Sequence, residues 1–154
     1  MASTDSPVVR RAVESDAETL LALIDGLADY EKLARPTAEA RTRIVRDLFG
    51  PRGRIDALLA FVDGKPAGYA IILETYSSFL AQPSLFIEDL FVLPEYRGRK
   101  AGYALFQEIR QEAQRRECGR IEWTVLDWNQ LAIDFYKRVG GEHMKEWQLF
   151  RITL

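Results

Sequence analysis

Pro94-Glu95-Tyr96-Arg97-Gly98-Arg99-Lys100-Ala101-Gly102 is the stretch whose reading decides the fold. It follows a strand-like apolar run, Leu85 to Leu93, and opens a helix-like run, Tyr103 to Glu117. Three cations, Arg97, Arg99 and Lys100, therefore fall at the expected start of a helix. That end carries the positive pole of the macrodipole and N–H groups without intrahelical partners, so each cation there is unfavourable by roughly 0.3–1 kcal/mol. An anion seated in the turn reverses the sign. Glycines that permit close backbone approach, outward N–H groups and flanking cations together describe a phosphate site. Read alone, the stretch fits either that site or a solvated basic turn.

Outward from the turn, the chain alternates between two periods. Val8 to Ala12 reads as a short strand, and Ser15-Asp16-Ala17-Glu18 has capping-box spacing ahead of Leu20, Leu21, Ile24, Leu27 and Ala28, a helical stripe. Pro36-Thr37 opens a second helix that Gly50-Pro51 stops. Ile55 to Val62 and Ala67 to Tyr76 read as strands joined at Asp63-Gly64, a strong hairpin signal. Ser77 to Ser84 reads as a loop. After the central strand, turn and helix, Cys118-Gly119 leads to a strand through Ile121, Trp123 and Val125. Asn129 can cap a helix from Gln130 to Val139, ended by Gly140-Gly141, and Glu142 to Leu154 offers two last strands. The expected class is α/β (α+β): a mixed sheet, helices on both faces, with a parallel, right-handed crossover from Leu85 to Leu126.

Size and charge narrow the function. A chain of 154 residues, 47% hydrophobic and 29% charged, suits one domain, expected over 8–154 behind a fraying N-terminus at 1–7. A net charge of −2 gives no global basic field for nucleic acid. No apolar run approaches the ~20 residues that span a bilayer. One cysteine, Cys118, allows no internal disulfide and suits a reducing cytoplasm; it reads as a structural thiol. No metal is expected. His143, the one histidine, reads as a surface-turn residue.

The basic turn and the segment Asn129-Gln130-Leu131-Ala132-Ile133-Asp134-Phe135-Tyr136-Lys137-Arg138-Val139-Gly140 resemble the GNAT superfamily of acetyl-coenzyme A-dependent N-acetyltransferases. Leu27-Ala28-Asp29-Tyr30-Glu31, Phe86-Ile87-Glu88-Asp89-Leu90-Phe91-Val92 and Trp128-Asn129 resemble its diamine (spermidine/spermine) and thialysine branch. The resemblance implies a mostly antiparallel sheet with one splayed parallel pair. It implies acetyl-coenzyme A as cosubstrate, held by Arg97, Gly98, Arg99, Lys100, Ala101 and Gly102 at the diphosphate. Along the pantetheine arm it implies Leu90, Phe91, Val92 and Asn129, the strand stretch pairing with the arm as another strand would. Tyr136 and Lys137 complete the set. One departure stands out: Lys100 occupies a position that the family usually fills with glycine, so it either crowds the turn or adds a charge to the diphosphate site.

Acetyl transfer to an amine must move a proton at each end. An amine with a pKa near 10.4 is largely protonated near neutrality, a deficit of about 4 kcal/mol. Glu88, a charge interrupting an apolar strand, is the candidate base, acting through water; a splayed-edge acid that only attracts the cationic substrate is the alternative. Asp89 points to the opposite face in a regular strand, and a bulge brings both acids to one cleft; a buried ion pair is its alternative. Tyr136, which by spacing alone reads as a core aromatic, is by the resemblance the candidate acid for the departing sulfur. Tyr30 and Glu31 match residues that line the amine site in the polyamine branch. Ser77 and Phe79 stand roughly where that branch carries an aspartate and a tryptophan, which favours a smaller amine, a diamine or a lysine-like amino acid. The alternatives are a protein lysine or N-terminal acetyltransferase and a non-catalytic acyl-coenzyme A sensor. The apolar terminal run Trp147 to Leu154 fits a homodimer, as in the resembling branch, or a strand folded back in a monomer.

Overall fold

In the computed structural model, residues 6–154 are described; the expected fraying of 1–7 falls largely outside them. The chain divides into two compact units, Met1–Thr124 and Val125–Leu154. In the first, the sheet runs in the order β1-β2-β3-β4-β5, built from β1 (Val8–Arg11), β2 (Asp56–Val62), β3 (Lys65–Ser77), β4 (Gln82–Val92) and β5 (Arg120–Trp123). All neighbours pair antiparallel except β4 and β5, which are parallel. The helices of this unit are α1 (Ala17–Glu31), α2 (Ala38–Phe49) and α3 (Ala101–Arg115).

Strand alternation sends two sets of side chains to two faces. Leu59, Tyr69, Ile71 and Phe91 join Leu20, Leu23, Ile24 and Leu27 of α1 and Ile44 and Leu48 of α2 in one core. α3 packs on β2, β3 and β4 with Leu105, Phe106 and Ile109 buried. Phe106 meets Trp123 of β5 edge-on, ring centroids 5.4 Å apart. Backbones approach closely at Gly68: a Cβ there would lie 2.5 Å from the Phe91 carbonyl oxygen, which is why glycine stands at this point of β3.

Local signals explain most boundaries. Asp63 and Gly64 have φ of 51° and 76°, the paired positive values that a two-residue primed turn demands. Thr37 caps α2, its side-chain oxygen accepting the Ala40 N–H at 3.2 Å. The start of α1 differs from the expected Ser15 capping box. Asp16 instead reaches back, accepting the Val13 N–H at 2.8 Å and both guanidinium nitrogens of Arg10. That Arg10 hydrogen bond, with the Val13 bond behind it, lowers the Asp16 carboxyl to about 2. The expected loop from Ser77 to Ser84 is shorter: β4 begins at Gln82, and Pro83 pairs opposite Tyr76 near the strand's start, where a missing N–H is tolerated.

One cation ties the far end of α3 to the sheet. Arg116 reaches Asp56 at 2.6 Å and Glu112 at 2.7 Å, with Glu74 at 3.5 Å. Arg11 also pairs with Asp56.

In the second unit, α4 (Gln130–Arg138) starts at Asn129, whose Oδ1 accepts the Ala132 N–H at 3.2 Å. Gly140, at φ 96°, turns the chain so that the Gly141 N–H reaches the Tyr136 carbonyl at 2.8 Å. The two strands expected over 142–154 do not form: this stretch carries no strand. A strand needs a neighbour to satisfy its backbone, and the run has none among the described residues of this chain. Trp147, Leu149, Phe150 and Ile152 stay exposed.

Candidate active site

The centre of β4 is irregular, and the irregularity makes the site. Opposite β3, Asp89 pairs with Ile71 but Ile87 pairs with Ile72, so Glu88 is an extra residue. A bulge of this kind breaks the alternation by one step. Ile87 therefore stays with the buried residues of the α3 face while Asp89 turns to the α1 face beside Tyr69. The expected bulge is present at Glu88, and Glu88 and Glu31 both act electrostatically on the Asp89 carboxyl.

Asp89 is half-buried, and desolvation raises its carboxyl to about 6. Glu88 and Glu31 add to the rise, and a hydrogen bond from the Tyr69 hydroxyl to Asp89 Oδ2, 3.0 Å long, opposes it. Burial also raises the Glu31 carboxyl. No cation stands among the groups that shift Asp89. Glu88 itself is exposed on the bulge. Asp89 thus feels two neighbouring acids and no cation, and a cation bound beside it would favour its ionised form.

β5 runs beside β4 only from Ser84 to Ile87. Beyond that point, from the bulge through Leu90, Phe91 and Val92, no strand covers the second edge of β4 among the described residues. The parallel pair splays at the acidic bulge and leaves backbone polar groups for an extended, amide-bearing ligand.

The basic turn follows at once. Its three cations are not equivalent. Arg97 donates from Nε to the Val92 carbonyl at 3.2 Å and lies 4.8 Å from the Tyr30 ring centroid and 5.9 Å from that of Phe91. It clamps the end of α1 to the end of β4. Arg99 pairs with Asp63 at 3.2 Å. Lys100 is exposed and makes no ion pair among the described residues. It is the N-cap of α3 at φ 67°, a left-handed conformation that explains why glycine suits this position. α3 has no side-chain cap, unlike α2 and α4, and no acid in its first turn. Its leading N–H groups and Lys100 are suited to an anion.

Of the other sequence-derived residues, Tyr30 and Glu31 close α1 on the acidic face, with the Tyr30 ring 6.1 Å from Phe91. Asp29 is paired instead with Arg35 at 2.6 Å. Asn129, Tyr136 and Lys137 stand on or beside α4 in the second unit, Tyr136 half-buried against Phe135. Since Asn129 Oδ1 serves the cap, any bond to a ligand arm would come from Nδ2. Ser77 is buried and accepts the Leu80 N–H at 3.2 Å, holding the β3–β4 turn, while Phe79 at its tip is 99% exposed. Tyr69 was not legible as a site residue. Its signal was a tyrosine inside the aliphatic run Ala67 to Leu73, where a buried hydroxyl demands a partner. Among the described residues no group of three His, Cys, Asp or Glu is placed to hold a metal ion, and no helix is long and apolar enough to cross a membrane.

Residues 20–141 match the sequence profile of the Acetyltransferase (GNAT) family. The chain is 31% identical to thialysine N-epsilon-acetyltransferase of Bos taurus, over 94% of this chain and 91% of that protein. It is 40% identical to L-ornithine N5-acetyltransferase NATA1 of Arabidopsis thaliana over 56% of this chain and 38% of that one. The fold matches that of AAC(6')-Iy, solved in complex with the bisubstrate analog CoA-S-monomethyl-acetylneamine, with a TM-score of 0.78 at 16% identity, covering 97% of this chain and 100% of the other.

Proposed function

Because the chain belongs to the acetyltransferase (GNAT) family, we propose that it moves acetyl from acetyl-coenzyme A directly to a primary amine of a small molecule: a diamine, a polyamine or a lysine-like amino acid. The observation that carries the acceptor is Asp89, a half-buried acid bonded to the Tyr69 hydroxyl, on which Glu31 and Glu88 act and no cation does. An alkylammonium ion supplies that charge. Relatives named for thialysine and ornithine, both amino acids with a side-chain amine, support the same size of substrate. Ser77 spends its hydroxyl on a turn, and Phe79 is turned to solvent, which leaves no extra anion at that loop for a longer polycation.

Bound acetyl-coenzyme A supplies an acetyl group activated as a thioester. In this reading the uncapped start of α3, with Gly98, Ala101 and Gly102, holds its diphosphate, helped by Lys100 and Arg99. The open edge from Leu90 to Val92 aligns the pantetheine arm, and Asn129 and Lys137 add polar contacts. Tyr30, Glu31 and Asp89 hold the amine. Glu88, exposed on the bulge, accepts the ammonium proton through water, and the Tyr136 hydroxyl gives a proton to the departing sulfur. Two such transfers account for rate factors on the order of 10²–10⁴ each.

The exposed apolar side chains of Trp147, Leu149, Phe150 and Ile152 support a homodimer in which a second copy covers the tail. The free thiol of Cys118 suits a reducing cytoplasm.

A thiol-release assay with acetyl-coenzyme A across diamines, lysine analogues, polyamines and peptides tests the reading. Release with small amines is expected. Activity confined to peptides would make the chain a protein acetyltransferase. Binding without release would make it a sensor.

A further inference from the structure

Tyr69 lies across the sheet from the bulge and is fully buried, 0% exposed. Its ring belongs to the α1-side core with Ile71 and Phe91, and Asp89 pairs with its strand neighbour Ile71. The hydroxyl projects from that core to Asp89 Oδ2 at 3.0 Å. A phenol placed there for packing alone would be replaceable by phenylalanine. The oxygen has a defined partner on the residue that sits immediately after the extra residue of the bulge. We infer that Tyr69 is a positioning residue, which fixes the rotamer of Asp89 by holding one carboxylate oxygen and keeps that carboxylate ionised for the amine. This rests on the small-amine reading above.

The groups that face Asp89 make the role necessary. From α1 comes Glu31, from β4 comes Glu88, and both favour the protonated carboxyl. From β3 comes the Tyr69 hydroxyl, which favours the ionised one. Arg97 is held against Tyr30 and Phe91 and is not among the groups acting on Asp89. Burial and the nearby acids raise the phenol far above its ordinary range. Tyr69 therefore remains a donor at every working pH, and of the bonded pair Asp89 is the member that changes charge. A protonated Asp89 could neither attract an ammonium ion nor accept its proton. The Tyr69 hydroxyl thus sets the lower pH limit of amine binding.

Tyr69→Phe keeps the ring and deletes the bond. Titration of the Asp89 carboxyl by ¹³C NMR, in wild type and variant without substrate, should show the midpoint rising by about one pH unit, the size of one hydrogen bond to a charged group. The acid limb of kcat/KM should move up by the same amount, expressed mainly in KM for the amine, with activity recovered to within about threefold above pH 8.5. An unchanged midpoint, or a uniform loss at all pH values, overturns the inference. Should the variant not fold, 3-fluorotyrosine at position 69 reads the same bond in the opposite direction: a stronger donor must lower the midpoint, and no movement overturns the role. Failure of the amine reading is separate, since it appears as wild-type protein that releases no thiol with any small amine while the NMR titration still reports on the bond.

Discussion

Replacing Asp89 by asparagine deletes a charge that the fold holds at a disadvantage. The carboxyl rises from 3.8 to about 6 on folding, chiefly through desolvation. A group raised in this way adds stability when protonated, below its unfolded value, and loses it as pH climbs through the folded value. A difference of roughly two pH units corresponds to about 3 kcal/mol, fully felt above pH 7. The asparagine side chain would keep the shape and would still accept the Tyr69 hydroxyl through its amide oxygen. The D89N variant should therefore be more stable than wild type by about 2–3 kcal/mol near pH 8 and by almost nothing near pH 3.5, where both carry a neutral side chain. For a chain of this length that is a melting temperature higher by about 4–12 °C. The same variant should lose most of its kcat/KM for the amine, because the anion that holds the ammonium is gone. Urea unfolding at the two pH values, beside the thiol-release assay, reads both effects. Equal stabilities at high pH, or a gap independent of pH, would refute the claim that Asp89 is an ionised, desolvated acid.

Other variants separate the remaining parts. Lys100→Gly should stabilise the fold by roughly 1 kcal/mol by removing a left-handed lysine, while weakening coenzyme A binding; melting and calorimetry on one sample read both, and an unchanged melting temperature would show that the turn is unstrained. Arg116→Ala leaves Asp56 with Arg11 and Glu112 with Arg115 but removes the cation they share, and should cost about 1–2 kcal/mol in urea unfolding; a loss below about 0.5 kcal/mol would mean the network is screened as a surface pair. Tyr136→Phe should cut turnover by about 100-fold with coenzyme A affinity held within about threefold; full turnover would remove Tyr136 as the acid.

What the sequence made legible is what short-range chemistry decides. Asp63-Gly64 needs two positive φ values, and both are present. Thr37 and Asn129 precede helical stripes and cap them. The arginine, glycines and lysine around Gly98 read as a strand-to-helix turn, and a strand precedes and a helix follows. Where a residue had two partners to choose from, the local pattern failed. Asp16 is committed to Arg10 and Val13, so Ser15 does not cap α1. The tail from Trp147 onward has the composition of a strand but no strand neighbour among the described residues to make it one. A bulge in the acidic stretch of β4 was legible, but the register that assigns the extra residue to Glu88 depends on β3, a separate strand earlier in the chain. Tyr69 was hidden for the same reason: its importance comes from which residue stands across the sheet. The unequal work of the three cations is also a tertiary property, since only packing on Tyr30 and Phe91 and pairing with Asp63 commit Arg97 and Arg99.

Isothermal calorimetry of acetyl-coenzyme A with the folded protein tests the central claim most directly, that the uncapped start of α3 and the open edge of β4 form a seat for this cosubstrate. One equivalent should bind with a dissociation constant on the order of micromolar, about −8 kcal/mol, and fragments lacking the diphosphate should compete poorly. A properly folded sample that evolves no heat with the intact cosubstrate, at any concentration up to millimolar, contradicts the account.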